Sequence, residues 1–199
     1  MRPKGSSELD TIVAMATPMA RSAIAVARLS GAGAFAIARA VAPDLPASAP
    51  PRTAHLASLR DATGEIFDRG LVTFFPAPSS YTGEDVAEIS IHGNPVLARR
   101  LIAAAQAAGA RIAEPGEFTR RAFFHEKLSL IEAEAVAELI DASTDAAARG
   151  ALARLGGKGE RSVGPVRDAL LIAHALWTAG IDFAEQAGEE DPAEIARCL

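Results

Sequence analysis

The chain has 199 residues, of which 49% are hydrophobic and 23% charged, a balance that is typical of globular proteins and argues against disorder. Its formal net charge of −5 argues against gripping nucleic acid by broad neutralisation of phosphates, so any RNA contact needs a local patch or a partner. The single cysteine, Cys198, excludes a disulfide framework and a cysteine-based zinc site, and we find neither a signal peptide nor a membrane-length apolar run. We therefore expect a soluble, cytoplasmic protein without membrane contact.

The first half of the chain alternates short apolar runs with turn residues and helical stretches. Alternation of side chains favours strands, while spacing of three to four apolar positions favours helices. In chain order the pattern predicts strands at Thr11–Thr17 and Ala23–Leu29, a helix at Ala34–Ala42, strands at Ala54–Arg60, Phe67–Phe75 and Asp85–Ile91, and a helix over Val96–Ala108 that begins near Pro95. This mixture predicts an α+β amino-terminal domain.

The strand signal disappears after Gly116, and the second half of the sequence is helix-rich. We predict a helix over Glu117–Lys127 and two further apolar stripes at helical spacing. One stripe comprises Ile131, Ala135, Leu139 and Ile140, and the other Val163, Val166, Leu170, Trp177 and Ile181. We place the domain boundary between residues 122 and 123, which gives domains 1–122 and 123–199. The second is small for an independent core, so we predict an incomplete α-helical domain.

Four segments in order resemble the tRNA-modifying GTPase family MnmE (TrmE). They are residues 10–18 (DTIVAMATP), 25–31 (AVARLSG), 81–93 (YTGEDVAEISIHG) and 115–140, which opens with PGEFT and ends with EAEAVAELI. Each motif alone is weak, but their shared order and spacing are specific. The match continues through residues 141–143 and 180–183 and covers most of residues 10–183.

The resemblance implies an amino-terminal domain similar to the folate-binding part of glycine-cleavage aminomethyltransferases. Such a domain forms homodimers and binds 5-formyl-tetrahydrofolate or a related tetrahydrofolate. The family inserts a GTPase domain into the helical domain, and GTP, potassium and magnesium act only in that GTPase domain. Together with a flavin-dependent partner protein (MnmG/GidA-like), the family modifies carbon 5 of the wobble uridine in certain tRNAs, which implies that tRNA is reached through the complex.

The sequence departs from the family pattern at several points. Residues 18–22 replace a glycine-rich turn, Asn94 stands where a second glycine is usual, and Ser129 replaces a usual aspartate. His125 and Glu126 occupy a position where a small turn pair is usual, and Cys198 does not reproduce the family's terminal cysteine motif. No Gly-x-x-x-x-Gly-Lys-Ser/Thr loop occurs in the sequence, so we expect no GTP hydrolysis by this chain alone.

Three residues are candidates for binding the folate: Arg28, Glu88 and Lys127. Arg28 lies on a largely apolar predicted strand, where a charge needs a partner, so it forms either a structural salt bridge or an anion clamp. Glu88 can accept the paired N–H groups of a pterin edge, or can simply pair with Arg28. Lys127, one of three lysines, is by itself most simply a solvated lysine at a helix end. The resemblance aligns all three with the family's folate contacts.

Other polar residues give weaker signals. His92 could act as a general base, although a histidine at the end of a strand is more often structural. We predict no metal site and assign no catalytic residue, because no cluster with ligand spacing occurs. Two alternatives to a folate-binding part of a tRNA-modifying GTPase stay open: a stand-alone folate-dependent one-carbon transferase, and a pure dimerisation module in which Arg28 and Glu88 form only a salt bridge.

Overall fold

The computed structural model describes residues 10–182, apart from the side chains of 158–162, 179, 180 and 182. The predictions for residues 1–9 and for Cys198 lie outside the described residues. The chain divides into two compact units, Met1–Leu128 and Ser129–Leu199. The boundary predicted between residues 122 and 123 lies inside a helix of the first unit. We call the two parts the amino-terminal unit and the helical unit.

The amino-terminal unit contains six strands and three helices in its described part. They are β1 (Ile12–Met15), β2 (Ser22–Ser30), α1 (Ala34–Val41), β3 (His55–Arg60), β4 (Ile66–Phe75), β5 (Val86–Gly93), α2 (Pro95–Ala107), β6 (Arg111–Ile112) and α3 (Glu117–Phe124). The strands form one sheet in the order β3-β4-β5-β2-β1-β6. Neighbouring strands are antiparallel except for β1 and β6, which are parallel.

One face of this sheet carries the hydrophobic core. Alternate residues of the central strands point into it, so Ala87, Ile89 and Ile91 of β5 are buried against α1 and α2. Leu29 of β2 and Leu101 of α2 are fully buried in the same core region of the unit. The period-two pattern predicted for β5 is therefore confirmed, and it leaves Glu88 on the opposite face of the sheet.

The opposite face is covered at one end by α3 and by the loop between β4 and β5. Ser30 of β2 and Thr82 of that loop are both fully buried and share a hydrogen bond of 2.7 Å between their hydroxyls. At the other end of the face, large apolar side chains of three strands are exposed. We call this set the open-face patch, and it consists of Ile24 (62% exposed), Leu56 (60%) and Leu71 (42%).

Two departures from the family pattern have a local structural reason. The side chain of Asn94 accepts a hydrogen bond of 2.8 Å from the Val96 N–H and so caps α2. Ser129 caps α4 (Leu130–Asp141) and forms a reciprocal capping box with Glu132. These polar side chains satisfy helix N–H groups that would otherwise lack partners.

The helical unit contains α4, α5 (Asp145–Leu155) and α6 (Lys158–Asp182) in its described part. Among the hydrophobic residues described there, the buried ones are Ala135 and Ala151. Larger side chains are exposed on every helix, including Ile140 at 78% and Trp177 at 65%. No helix in residues 10–182 is long and apolar enough to cross a membrane.

The mixed α/β unit followed by helices confirms the predicted fold class, and two predicted elements need correction. The helix predicted over Glu117–Lys127 ends at Phe124, because Glu126 is left-handed (φ 57°) and the Lys127 N–H turns back to the Ala122 carbonyl at 2.8 Å. The strand predicted over Thr11–Thr17 shortens to β1. Its Ile12 and Val13 are fully buried within the unit, so they offer no apolar surface to a partner.

Candidate functional site

Arg28 and Glu88 are direct cross-strand neighbours. They stand opposite each other in the antiparallel pairing of β2 with β5, so the sheet register itself brings the two side chains together. Arg28 Nη2 lies 2.6 Å, and Arg28 Nε 2.9 Å, from Glu88 Oε1. The two side chains are 27% and 28% exposed, so the ion pair is half-buried and reachable from solvent.

Two aromatic rings lie close to the guanidinium of this ion pair. The Arg28 guanidinium carbon lies 5.2 Å from the ring centroid of Tyr81 and 5.8 Å from that of Phe118, within cation–π range. The Tyr81 hydroxyl is 2.9 Å from the Thr119 hydroxyl, which ties the β4–β5 loop to α3. The pair and its two rings form what we call the Arg28 site.

The hydrogen bonds between Arg28 and Glu88 leave one edge of the ion pair, formed by Arg28 Nη1 and Glu88 Oε2, without partners among the described residues. Both donating nitrogens of Arg28 are directed at the same carboxylate oxygen of Glu88, Oε1. In the described part of the chain, Arg28 Nη1 and Glu88 Oε2 have no hydrogen-bond partner. A donor and an acceptor therefore remain available on the same charged pair.

Lys127 lies near this site but does not contact the ion pair. Its stem packs against Gly83 of the β4–β5 loop, where an added Cβ would lie 3.3 Å from Lys127 Cγ and 3.1 Å from His125 Cβ. Gly83 also has φ +80°, so a side chain there would be strained as well as crowded. His125 Nδ1 lies 2.7 Å from the Thr82 carbonyl and is its hydrogen-bond donor. None of the ion pairs formed by the described side chains involves the Lys127 ammonium.

A network of charged side chains that links α3 to the β4–β5 loop was not predicted. It joins two arginines to three carboxylates, and we call it the Arg121 network: Asp10, Glu84, Arg111, Glu117 and Arg121. Glu117 is only 1% exposed and receives 2.7 Å hydrogen bonds from Arg111 Nη2 and from the Glu114 N–H. The i, i+4 spacing of Glu117 and Arg121 on a predicted helix was a sequence signal for part of this network.

The network has a clear effect on ionisation. Burial favours the neutral form of Glu117, but hydrogen bonds from Arg111, the Glu114 N–H and Arg121 outweigh burial and lower the pKa of Glu117 to about 2. The pKa of Asp10 is likewise lowered, because hydrogen bonds from Arg111 and Arg121 outweigh its burial. Both carboxylates are therefore ionised at neutral pH.

His92 lies outside the Arg28 site, on the exposed end of β5. Its Nδ1 is 2.7 Å from Asp68 Oδ1, and its backbone N–H donates to Asp68 Oδ2 at 2.9 Å. These contacts fix the ring against a nearly buried carboxylate and give His92 a structural role. Among the described residues, no group of three or more metal-ligating side chains comes together.

The fold and the site define a class: a sheet domain that carries a half-buried ion pair beside two aromatic rings, followed along the chain by a helical unit. Comparison with protein families narrows this class. Residues 11–127 match the family model "GTP-binding protein TrmE N-terminus", and residues 130–198 match "MnmE helical domain". The chain belongs to the MnmE (TrmE) family.

The curated relatives are similar in sequence to this chain over nearly its whole length. The tRNA modification GTPase MnmE of Azoarcus sp. (strain BH72) is 49% identical over 186 residues, which are 94% of this chain and 40% of that protein. The protein of the same name from Halorhodospira halophila is 48% identical over 190 residues, or 95% of this chain and 40% of that protein. The chain therefore spans about two fifths of the length of the relatives that it matches.

Proposed function

We propose that the amino-terminal unit binds a tetrahydrofolate-type one-carbon carrier, such as 5-formyl-tetrahydrofolate, at the Arg28 site. The observation that carries the proposal is the unused edge of the ion pair. Glu88 Oε2 can accept hydrogen bonds and Arg28 Nη1 can donate them, and both lie on a pair whose guanidinium is close to two aromatic rings. A ligand that fits this edge has neighbouring N–H and carbonyl groups on a planar ring.

A pterin ring has that arrangement. Its 2-amino and ring N–H groups can donate to Glu88 Oε2, while its 4-oxo group can accept from Arg28 Nη1. The folate tail ends in carboxylates, and the stem of Lys127 packs against Gly83, so this lysine offers a cation on the same side of the unit as the β4–β5 loop. Lys127 thus serves the anionic tail in this proposal, while Arg28 and Glu88 serve the ring.

The wider role rests on the relatives. They are named tRNA modification GTPases, and we infer that this chain supplies the folate-binding part of an enzyme that modifies carbon 5 of the wobble uridine. Such an enzyme needs a GTPase domain with GTP, potassium and magnesium, a flavin-dependent partner protein and tRNA bound through the complex, all in the cytoplasm. No Gly-x-x-x-x-Gly-Lys-Ser/Thr motif occurs in these 199 residues, so we expect this chain on its own to bind the carrier without hydrolysing GTP.

Calorimetry of the full chain with 5-formyl-tetrahydrofolate tests the binding proposal. Glu88→Ala removes the acceptor and exposes Arg28, and we expect affinity to fall by about 30-fold or more, corresponding to roughly 2 kcal/mol or more. The matched control is Glu65→Ala, which removes an exposed glutamate that pairs with Arg100 in the same unit. Equal affinities for the parent chain and Glu88→Ala would refute the assignment.

One observation favours a second candidate function, a module for association without a ligand. Arg28 and Glu88 already neutralise each other within the unit, so the pair requires no ligand to be stable. On that alternative, the parent chain gives no calorimetric signal with 5-formyl-tetrahydrofolate. A stand-alone one-carbon transferase would in addition consume the carrier, which turnover assays with the purified chain would reveal.

We also propose that the amino-terminal unit forms a symmetric homodimer through the open-face patch. Ile24, Leu56 and Leu71 line one shallow groove on the sheet, with Arg69 and His92 at its rim. Exposed apolar side chains that lie together and are rimmed by polar ones are typical of interaction surfaces. We expect a total buried area of at least about 1,200 Å², the lower end of specific interfaces.

Analytical ultracentrifugation of the full chain tests this surface. Ile24→Glu places a charge in the groove and is expected to convert a dimer into a monomer at micromolar concentration. Val96→Glu is the control, because Val96 is similarly exposed (53%) but lies on α2, which packs on the other face of the sheet. If both variants remain dimeric, another surface, such as the apolar stripe of α6, forms the dimer.

A further inference from the structure

Arg121 contacts three separate segments of the amino-terminal unit. Its side chain is 11% exposed, and Nη2 lies 2.7 Å from Asp10 Oδ1 at the start of the sheet. Nη1 lies 3.0 Å from Glu84 Oε1 in the β4–β5 loop, and Nη2 is also 3.1 Å from Glu117 Oε1 in α3. One guanidinium therefore joins the sheet, the loop and the helix.

The loop and the helix that Arg121 joins are the two segments that carry the aromatic rings of the Arg28 site. Tyr81 precedes Glu84 by three residues in the loop, and Phe118 directly follows Glu117 in α3. Glu84 is also hydrogen-bonded at 2.6 Å to Ser30, two residues after Arg28 on the same face of β2. Arg121 therefore contacts both of the segments from which the two rings reach the ion pair.

The contacts need the shape of arginine as well as its charge. A guanidinium presents planar donors in fixed directions and can serve several carboxylates at once, whereas a lysine ammonium is a compact point charge on a flexible stem. Arg111 also contacts Asp10 and Glu117 but not Glu84. Of the two arginines in the network, Arg121 alone reaches the loop that carries Tyr81.

We propose that Arg121 is a positioning residue that sets the separation of Tyr81 and Phe118 across the Arg28–Glu88 edge and thereby the affinity for a planar ring. The proposal rests on the proposed folate function, and it assigns Arg121 no contact with the ligand. Groups that orient ligand-contacting residues at metal sites commonly change affinity by about 10- to 100-fold when they are replaced. We expect an effect in this range for Arg121→Lys, with the charge retained.

The experiment uses the fact that Tyr81 is the only tyrosine of the chain. Incorporation of 3-fluorotyrosine gives a single ¹⁹F resonance that reports on the Tyr81 ring without any ligand. We would record this resonance, the melting temperature and the affinity for 5-formyl-tetrahydrofolate for the 199-residue parent chain and for its variants Arg121→Lys and Glu84→Gln. The control is Arg100→Lys, because Arg100 also pairs with two carboxylates, Asp61 and Glu65, and lies near a ring, Phe67.

We expect Arg121→Lys to move or broaden the Tyr81 resonance by more than its line width and to weaken binding about tenfold or more. Glu84→Gln should do both to a smaller degree, and it keeps the test open if Arg121→Lys does not fold. Arg100→Lys should lower the melting temperature at most and leave the resonance and the affinity unchanged. A purely structural role would affect the Arg121 and Arg100 variants alike, in melting temperature only.

The outcomes separate this proposal from the proposed function. Suppose that the parent binds folate and Arg121→Lys folds. The positioning role is then refuted if either the Tyr81 resonance or the affinity is unchanged in Arg121→Lys. If only Glu84→Gln folds, the same criterion applies to that variant. If the parent does not bind folate, the folate function fails, and the resonance still decides whether Arg121 positions Tyr81. A Tyr81 signal identical in the parent and both network variants then refutes the positioning role independently.

Discussion

The two units of this chain use similar apolar side chains with opposite results. In the amino-terminal unit, a sheet with two helices on one face excludes water from residues such as Leu29, Ile89 and Leu101. In the helical unit, the buried hydrophobics described are two alanines, while Leu152, Leu170 and other large side chains remain exposed. A high content of hydrophobic residues is therefore not enough to form a core, because the helices and strands must also pack so that they shield these residues from water.

The first way to test this comparison is to separate the units. We expect residues 1–128 alone to unfold cooperatively, because their core and the whole Arg28 site lie within them. We expect residues 129–199 alone to show no cooperative transition, because little apolar area is buried there to offset chain entropy. Circular dichroism during thermal and urea unfolding measures both. A sharp transition in the helical fragment would contradict the comparison.

A matched pair of isoleucine truncations, one in the core and one on the surface, has the next largest expected effect. Ile89→Ala removes a fully buried side chain from the centre of the sheet and should lower the free energy of unfolding by about 2–5 kcal/mol. Ile140→Ala truncates the same residue type where it is 78% exposed, and it should change that free energy by no more than about 0.5 kcal/mol. Urea denaturation of the full chain compares them. A large effect at Ile140 would show that something covers α4.

The third test concerns pH. The pKa of Glu117 is about 2 in the folded unit against 4.5 for the free side chain, so its ionised form stabilises the fold above pH 4.5. This contribution, roughly 3 kcal/mol, should be lost as the pH falls from about 5 towards 2. Urea denaturation at several pH values measures it. Glu117→Gln is the control. It should be less stable at pH 7, and its free energy of unfolding should fall less steeply as the pH is lowered from about 5 towards 2. The same decrease in the free energy of unfolding with falling pH in the parent and in Glu117→Gln would contradict the lowered pKa of Glu117.

Much of the sheet could be predicted because alternation is a strong local signal. The pattern of β5 placed Glu88 on the face opposite Ile89, and the buried residues confirm it. The two-residue β6 could not be predicted, because such a short segment has no periodicity and forms only by pairing with β1. The end of α3 was predicted three residues too late, because the left-handed turn at Glu126 uses a residue other than glycine.

For the candidate site, too, the sequence predicted local features but not the contacts between distant segments. The charge of Arg28 on an apolar strand predicted a partner, and the sheet register places Glu88 opposite it. The rings of Tyr81 and Phe118 come from segments distant along the chain, and no local pattern predicts that they meet over Arg28. Arg121 was part of a recognised motif, yet its contacts with Asp10 and Glu84 depend on the tertiary fold. Lys127 lies beside the loop, and its role stays a prediction.

The most direct test of the central claim is a crystal structure of this chain grown with 5-formyl-tetrahydrofolate. We expect the pterin edge at hydrogen-bond distance from Glu88 Oε2 and Arg28 Nη1, with Tyr81 and Phe118 beside the ring and the tail directed towards Lys127. Density for the carrier on another surface, or an Arg28 site left without ligand in crystals grown at saturating carrier, would contradict the account.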